Sequence, residues 1–271
     1  MTSSRFEAEV VSTDYMLRLA ASDLGRSYKS MVRGQLGLRP GSRVLDVGCG
    51  PGADLPDYAE LVGPSGAVVG VDHDDTAVEA ARKRTLHLPQ VQVHIGDGHR
   101  LNEADESFDA AHTDRVLQHV FDPAEVLAEV ARVLRPGGAA AFAEPDWETL
   151  VVDHPEPRLS TAYTRYVTEF QVRNARIGRQ LAGFANDAGL AVRTIIPITT
   201  VFDDAGAADK VLGLHRVTRR AIEHEVMTPD EGQRWLDHLS GAQTFFAAVS
   251  LFVVCAVKPS TTVGSRTRTK S

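Results

Sequence analysis

Apolar and polar positions fall into two regimes along this chain. Through the first half, short apolar runs at 43–47, 67–71, 91–95, 108–111 and 139–143 alternate with amphipathic stretches. Strands of that length, each followed by a stretch of helical period, read as βαβ units feeding a parallel sheet. The intervening helices carry their own end signals. In DPAEVLAEVARVLRPGG, Asp122 is placed to cap and Pro123 stands at the first helical position. Val126, Leu127, Val130, Val133 and Leu134 then form one apolar stripe before Pro136-Gly137-Gly138 ends it. After the second strand, Asp74, Asp75 or Thr76 can start a helix through AVEAARKR, with Thr76 and Glu79 at capping-box spacing.

Beyond Pro145 the pattern changes to longer helical stretches, predicted at 158–188, 205–225 and 229–240. One β-like run, VRTIIPITTVF from Val192, interrupts them, and the apolar run at 245–257 reads as a closing strand. No repeat or low-complexity linker divides the chain. The expectation is a single domain over 1–259, with a core at 40–145 and helical additions at 1–35, 146–175 and 203–241. The polar tail KPSTTVGSRTRTKS predicts disorder over 260–271, because it has too little to bury.

Charge and cysteine usage narrow the function classes. A chain of 271 residues suits one large core. A formal net charge of -7 argues against a nucleic-acid binder, which normally presents a basic face to phosphates, and favours a small-molecule partner. Cys49 and Cys255 form no disulfide framework or metal-ligand spacing, so a reducing cytoplasm is the expected compartment. The run FFAAVSLFVVCAV from Phe245 is shorter than the ~20 residues a membrane span needs, so no membrane segment is expected. The histidines show no H-x-x-x-H pair with a carboxylate at ligand spacing, and no metal is expected.

The candidate chemistry begins at VLDVGCGPGADL, residues 44–55. A strand, a glycine turn and a helix bring backbone N–H groups to the carboxyl edge of a sheet, where doubly wound folds bind ligands. The spacing Gly48-Cys49-Gly50-Pro51-Gly52-Ala53 departs from the dinucleotide fingerprint G-x-G-x-x-G. Asp46 adds to the mismatch: a carboxylate there repels a pyrophosphate but attracts an ammonium or a sulfonium. S-adenosylmethionine (SAM) carries both cations and no phosphate. VLDVGCGPG resembles the first motif of class I SAM-dependent methyltransferases, and three later stretches extend the resemblance over residues 40–145. GAVVGVDHDD ends a strand at Asp72, VQVHIGDGHRL places Asp97 in a Gly-Asp-Gly turn, and SFDAAHTDRVLQHVFDP with EVARVLRPGG is similar to the fourth strand and next helix.

The resemblance implies a Rossmann-like α/β fold: a seven-stranded, mostly parallel sheet with its last strand antiparallel, helices on both faces and helical additions around the active site. It implies that SAM is the cofactor, held by Asp46, Gly48 and Gly50, with the ribose hydroxyls on Asp72 and the adenine amine on Asp97. Backbone near Gly98 meets the adenine ring, Thr113 lies near the methionyl end, and His73 stands where many members place an apolar side chain against adenine. Taken singly, Asp72 and Asp97 also suit helix or turn caps, and the glycines alone also suit a tight turn.

Acceptor chemistry is less legible, because in-line methyl transfer needs little beyond positioning and proton management. No Asn/Asp-Pro-Pro-Tyr motif occurs, and Glu144-Pro145-Asp146-Trp147 ends the fifth strand instead, which favours a small organic acceptor. His119 is a candidate general base or a structural hydrogen-bonding residue. Trp147 is a candidate for the acceptor pocket or for ordinary packing. His215, Arg216, Arg219, Arg220 and His224 suit a solvated helix face better than a lid over an anion. The expected function is methyl transfer from SAM to a small molecule, with the protein monomeric or homodimeric. The rival readings are a nicotinamide oxidoreductase, a SAM-binding protein catalysing cyclisation or rearrangement, and a non-catalytic SAM-binding regulator.

Overall fold

The computed structural model describes residues 23–241 and 244–260. The expected helical additions before residue 23 and the expected disordered tail from 261 lie outside the described residues. Within them, seven strands form one sheet in the order β3-β2-β1-β4-β5-β7-β6. These are β1 (Arg43–Val47), β2 (Ala67–Asp72), β3 (Val91–Ile95), β4 (Phe108–Asp114), β5 (Leu134–Val152), β6 (Ala191–Phe202) and β7 (Ala247–Val257). Strands β1 to β5 pair in parallel, and β7 runs antiparallel between β5 and β6. The order reverses between β1 and β4, and the carboxyl ends of those two strands flank the crevice that doubly wound sheets use for ligands.

One face of the sheet is covered by α1 (Asp23–Gln35), α2 (Leu55–Val62) and α3 (Asp75–Thr85), whose Tyr28, Val32, Tyr58 and Val78 pack on Val44, Val68 and Ala110. The other face is covered by α4 (Pro123–Val133) and α6 (Ile177–Asp187), with Leu127, Val130 and Leu181 against Leu45, Val47 and Phe142. Leu127 and Val130 are wholly buried, and side chains of this kind each stabilise a fold by about 1.5–3 kcal/mol. Helix α4 starts as its sequence predicts, with Asp122 Oδ1 accepting from the Ala124 and Glu125 N–H groups. Helix α3 does not use the Thr76–Glu79 box. Asp74 caps it instead, accepting from Thr76 and Ala77, because Asp74 holds the extended backbone that a cap requires.

The second half is more broken than its periodicity predicts. The stretch 158–188 divides into α5 (Pro157–Tyr166), a π-helical turn (Val167–Gln171) and α6. The stretch 205–225 divides into α7 (Ala205–Leu212) and α8 (Leu214–Glu223) at Gly213, whose φ of 67° ends the first helix in the left-handed region. Helix α9 (Pro229–Gly241) follows. β5 is longer than the run 139–143 because it continues through Val152 beside β7. The extended ends of β5, β6 and β7 carry a third apolar cluster in which Leu150, Val152, Phe202 and Val249 meet Tyr163, Val217 and Trp235. These helices therefore cap one end of the sheet.

Candidate cofactor-binding site

The turn after β1 is built from residues that only glycine serves well. Gly48, Gly50 and Gly52 have φ of 71°, 52° and 74°, a region where an L side chain meets its own backbone. A Cβ on Gly48 would also run into the Val116 side chain, so the loop after β4 closes directly over the glycine turn. The turn is tied to the next strand: the Gly48 and Cys49 N–H groups both donate to the Val71 carbonyl, at 2.7 and 3.1 Å.

Asp72 ends β2 beside this turn. One carboxylate oxygen accepts from the Gly50 N–H at 2.8 Å and the other from the Asp74 N–H at 3.0 Å. Each oxygen keeps a further lone pair, the arrangement that a vicinal diol needs. His73 projects outward with its side chain 91% exposed, and its Nδ1 is 3.4 Å from Asp72. At the end of β3, Asp97 Oδ1 accepts from the His99 backbone N–H at 2.9 Å and faces His99 Nδ1 at 2.6 Å. His99 Nε2 accepts from the Asp122 N–H at 3.2 Å, which puts the ring proton on Nδ1 and aims it at Asp97. These bonds from His99 hold the Asp97 carboxyl below the usual carboxylate range, and its side chain stays open to solvent. Gly98 backs onto Val47, next to the glycine turn.

Asp46 lies deeper. It pairs in register with His112 of β4, and the two buried side chains meet at 3.4 Å between Oδ1 and Nδ1. Burial pushes the Asp46 carboxyl up, while the hydrogen bond and charge of His112 oppose that shift. Around them Lys29 of α1 bonds Asp54, and it also bonds Asp114 at 2.6 Å. Asp114 further accepts from Tyr28 at 2.6 Å and from Arg115 at 3.0 Å. Although burial opposes it, Arg115 and Lys29 hold Asp114 far below the usual carboxylate range. Donor atoms of Asp46, Asp54 and His112 lie within 4.8 Å of one another. The Lys29 ammonium already sits on Asp54, so this group is a buried ion cluster with a cation of its own. Thr113, next along β4, is wholly buried on the opposite face, and its hydroxyl has no partner among the described residues.

Glu144, at the carboxyl end of the core part of β5, is wholly buried. It accepts from the Val116, Leu117 and Gln118 N–H groups at 2.7, 2.6 and 3.3 Å and so fixes the loop that covers Gly48. Burial raises its carboxyl to about 8, against those backbone bonds. In the same loop, His119 is exposed to solvent on one side. Crowding by the surrounding chain, with His73 nearby, holds its imidazole below the ordinary range. Trp147 donates from Nε1 to Gln118 at 2.7 Å, which ties it to the loop from the other side. Asp146, also fully buried, is gripped by Arg179 of α6, whose Nη2 lies at 2.7 Å.

The candidates Asp46, Gly48, Gly50, Asp72, His73, Asp97 and Gly98 thus collect at the carboxyl ends of β1, β2 and β3. His119 and Trp147 collect on the loops after β4 and β5. Sequence reasoning missed Lys29, His99, His112 and Asp114; it placed Glu144 and Asp146 with Trp147 at the acceptor side, and the structure shows both carboxylates buried and bonded to the chain itself. The available signal was the run HTD at 112–114, which places polar groups where a buried central strand should be apolar.

The profile of the methyltransferase domain family matches residues 38–186, more than half of the chain. The chain belongs to the class I SAM-dependent methyltransferase family. It is 54% identical over 252 residues to an uncharacterized 37.1 kDa protein in transposon TN4556 of Streptomyces fradiae, covering 93% of this chain and 73% of that protein. It is 31% identical over 139 residues to demethylmenaquinone methyltransferase of Staphylococcus aureus, covering 51% of this chain and 58% of that enzyme's length. In structure it is similar to a SAM-dependent methyltransferase from Aquifex aeolicus, with a TM-score of 0.51 at 17% identity over 86% of this chain and 92% of that one. This methyltransferase domain uses SAM, and the strand order observed here is that of the family fold. Among the described residues, no helix is long and apolar enough to cross a membrane.

Proposed function

We propose that this methyltransferase transfers the methyl group of SAM to a small organic acceptor that enters between the β4 and β5 loops and the helical cap. The observation that carries the cofactor half is the row of carboxylates Asp46, Asp72 and Asp97 around a glycine turn whose Gly48 leaves no room for a Cβ. In this reading Asp72 uses the free lone pair of each oxygen for the ribose hydroxyls. The open oxygen of Asp97 takes the adenine amine while His99 holds the other. Asp46 faces the ammonium of the methionyl group. Bound SAM supplies an activated methyl group on sulfur.

The acceptor half rests on position. His119 is held toward its neutral form and can take a proton from an acceptor. Glu144 fixes the loop that carries His119, and Trp147 is clamped where a flat or apolar acceptor can pass. The net charge of -7 fits a small acceptor better than a nucleic acid.

The test is transfer of isotopic label from the SAM methyl group into a panel of small phenols, amines and quinol-like compounds, with S-adenosylhomocysteine (SAH) formation measured beside it. Label in an extractable small molecule with matching SAH supports the proposal. Binding of SAH without transfer to any of them, or label lodging in protein or nucleic acid, counts against it. Binding of NAD in preference to SAH removes the cofactor reading itself.

A further inference from the structure

The buried pair Asp46 and His112 sits at neighbouring positions of central strands. Apolar side chains of similar volume often serve such positions as well or better, so the pair is weak evidence for stability and invites a role in binding. Among the described residues, their surroundings are also short of one positive charge. The groups facing the pair are Asp54 before α2, Tyr58 of α2, Asp114 and Arg115 at the end of β4, Tyr28, Lys29 and Arg33 of α1, and Cys49 in the glycine turn. The carboxylates Asp46, Asp54 and Asp114 stand against Lys29 and Arg115, while Arg33 is shared between Asp54 and the exposed Asp57. A proton held between Asp46 and His112 supplies the missing charge. Burial alone would lower the imidazole, yet Asp46, Asp54 and Asp114 raise it above its ordinary range. The fit is incomplete: His112 Nε2 and the Tyr58 hydroxyl are buried with no hydrogen-bond partner among the described residues.

We infer that His112 is a positioning residue that keeps the Asp46 carboxylate poised with a proton, and that this proton leaves when the ammonium of the cofactor arrives. The inference rests on the proposed placement of that ammonium at Asp46. The ammonium brings the charge that the proton had supplied. Two positive groups on one buried carboxylate repel, and the imidazolium, with Nε2 unpaired, is the one that can shed its charge. Cofactor affinity therefore rises with pH across the titration of the pair, up to tenfold per pH unit for one proton.

Isothermal titration of the whole chain with SAH at pH 6.5, in buffers of differing ionisation enthalpy, counts the protons released. At that pH the ligand's α-amine is already protonated, since the carboxylate beside it raises its pKa above the roughly 7.7–8.0 of a chain terminus, so the ligand itself takes up little. Release of about half to one proton per SAH is expected from the wild type, and no release overturns the inference. Burial also raises the Asp46 carboxyl, and in His112→Gln nothing on the imidazole opposes it, so that variant can release a proton from Asp46 itself. Two-bond proton–nitrogen correlation of the wild-type imidazoles therefore decides which group held the proton. His112 must pass from the protonated to the neutral pattern on SAH saturation, and an unchanged pattern overturns the inference. Asp46→Asn separates the two levels. Unchanged SAH affinity in that variant refutes the placement of the ammonium, whereas a tenfold loss without proton release by the wild type refutes only the role of His112.

Discussion

Replacing Asp72 by Ala removes two kinds of bond at once, and their sizes differ. Toward the ligand, the proposed diol contacts use one lone pair on each oxygen, and hydrogen bonds to a charged group are worth about 1.5–3 kcal/mol net. At 1.4 kcal/mol per tenfold, one such contact predicts a loss of SAH affinity of about 10- to 150-fold and the two together more, so a loss of at least about tenfold is expected. Toward the protein, the Gly50 N–H loses its acceptor at 2.8 Å and the Asp74 N–H loses its acceptor at 3.0 Å. An unsatisfied buried N–H costs about 1–3 kcal/mol, so the variant is also expected to lose stability. The two effects are separated by titration calorimetry with SAH and by denaturant unfolding in its absence. A second ligand, 2′,3′-dideoxy-SAH, sharpens the comparison, since it lacks the diol and should bind wild type and variant within about threefold of each other if the glycine turn is intact. A variant that unfolds earlier yet binds SAH as the wild type does would refute the reasoning, because Asp72 would then serve the turn alone.

Gly48→Ala is expected to abolish SAH binding and to destabilise the fold by about 1–2 kcal/mol from the left-handed backbone alone, before the clash with Val116 is counted, as denaturant titration would show. Asp122→Ala removes the cap of α4 and should cost about 1 kcal/mol in the same assay without altering SAH affinity. For Glu144 the folded carboxyl lies at about 8, above the ordinary 4.5, so the fold binds a proton that the unfolded chain releases. Its stabilising contribution is therefore full below about 4.5 and is lost as pH rises toward 8, with a slope of up to about 1.4 kcal/mol per pH unit. Glu144→Gln should be tolerated at neutral pH, because Oε1 still accepts from Val116 and Leu117, and it should flatten that slope; a profile as steep as the wild type's would show that Glu144 is not its source.

The parts of this molecule legible in its sequence were those decided locally. β1 and β3 follow from their apolar runs, α4 from Asp122 and Pro123, and the glycine turn from residues 48 to 52, since backbone sterics there leave little choice. The break at Gly213 and the π-helical turn at Val167–Gln171 were not legible, because a helical period persists through both and tertiary packing decides where it stops. In the candidate site, the strand-tip acids Asp46, Asp72 and Asp97 carried a signal in their spacing. Their partners did not. Lys29 reaches Asp114 across 85 positions and Glu144 reaches Leu117 across 27, and no spacing rule foresees contacts that only the sheet order creates. His112 meets Asp46 for the same reason, by register between neighbouring strands.

The central claim is that the carboxylates at the ends of β1, β2 and β3 surround an adenosyl ligand free of phosphate. A crystal structure of the protein with SAH bound tests it most directly. The account predicts both ribose hydroxyls on Asp72, the adenine amine on Asp97 and the ammonium facing Asp46. A ligand whose sugar and base lie away from Asp72 and Asp97 would contradict it.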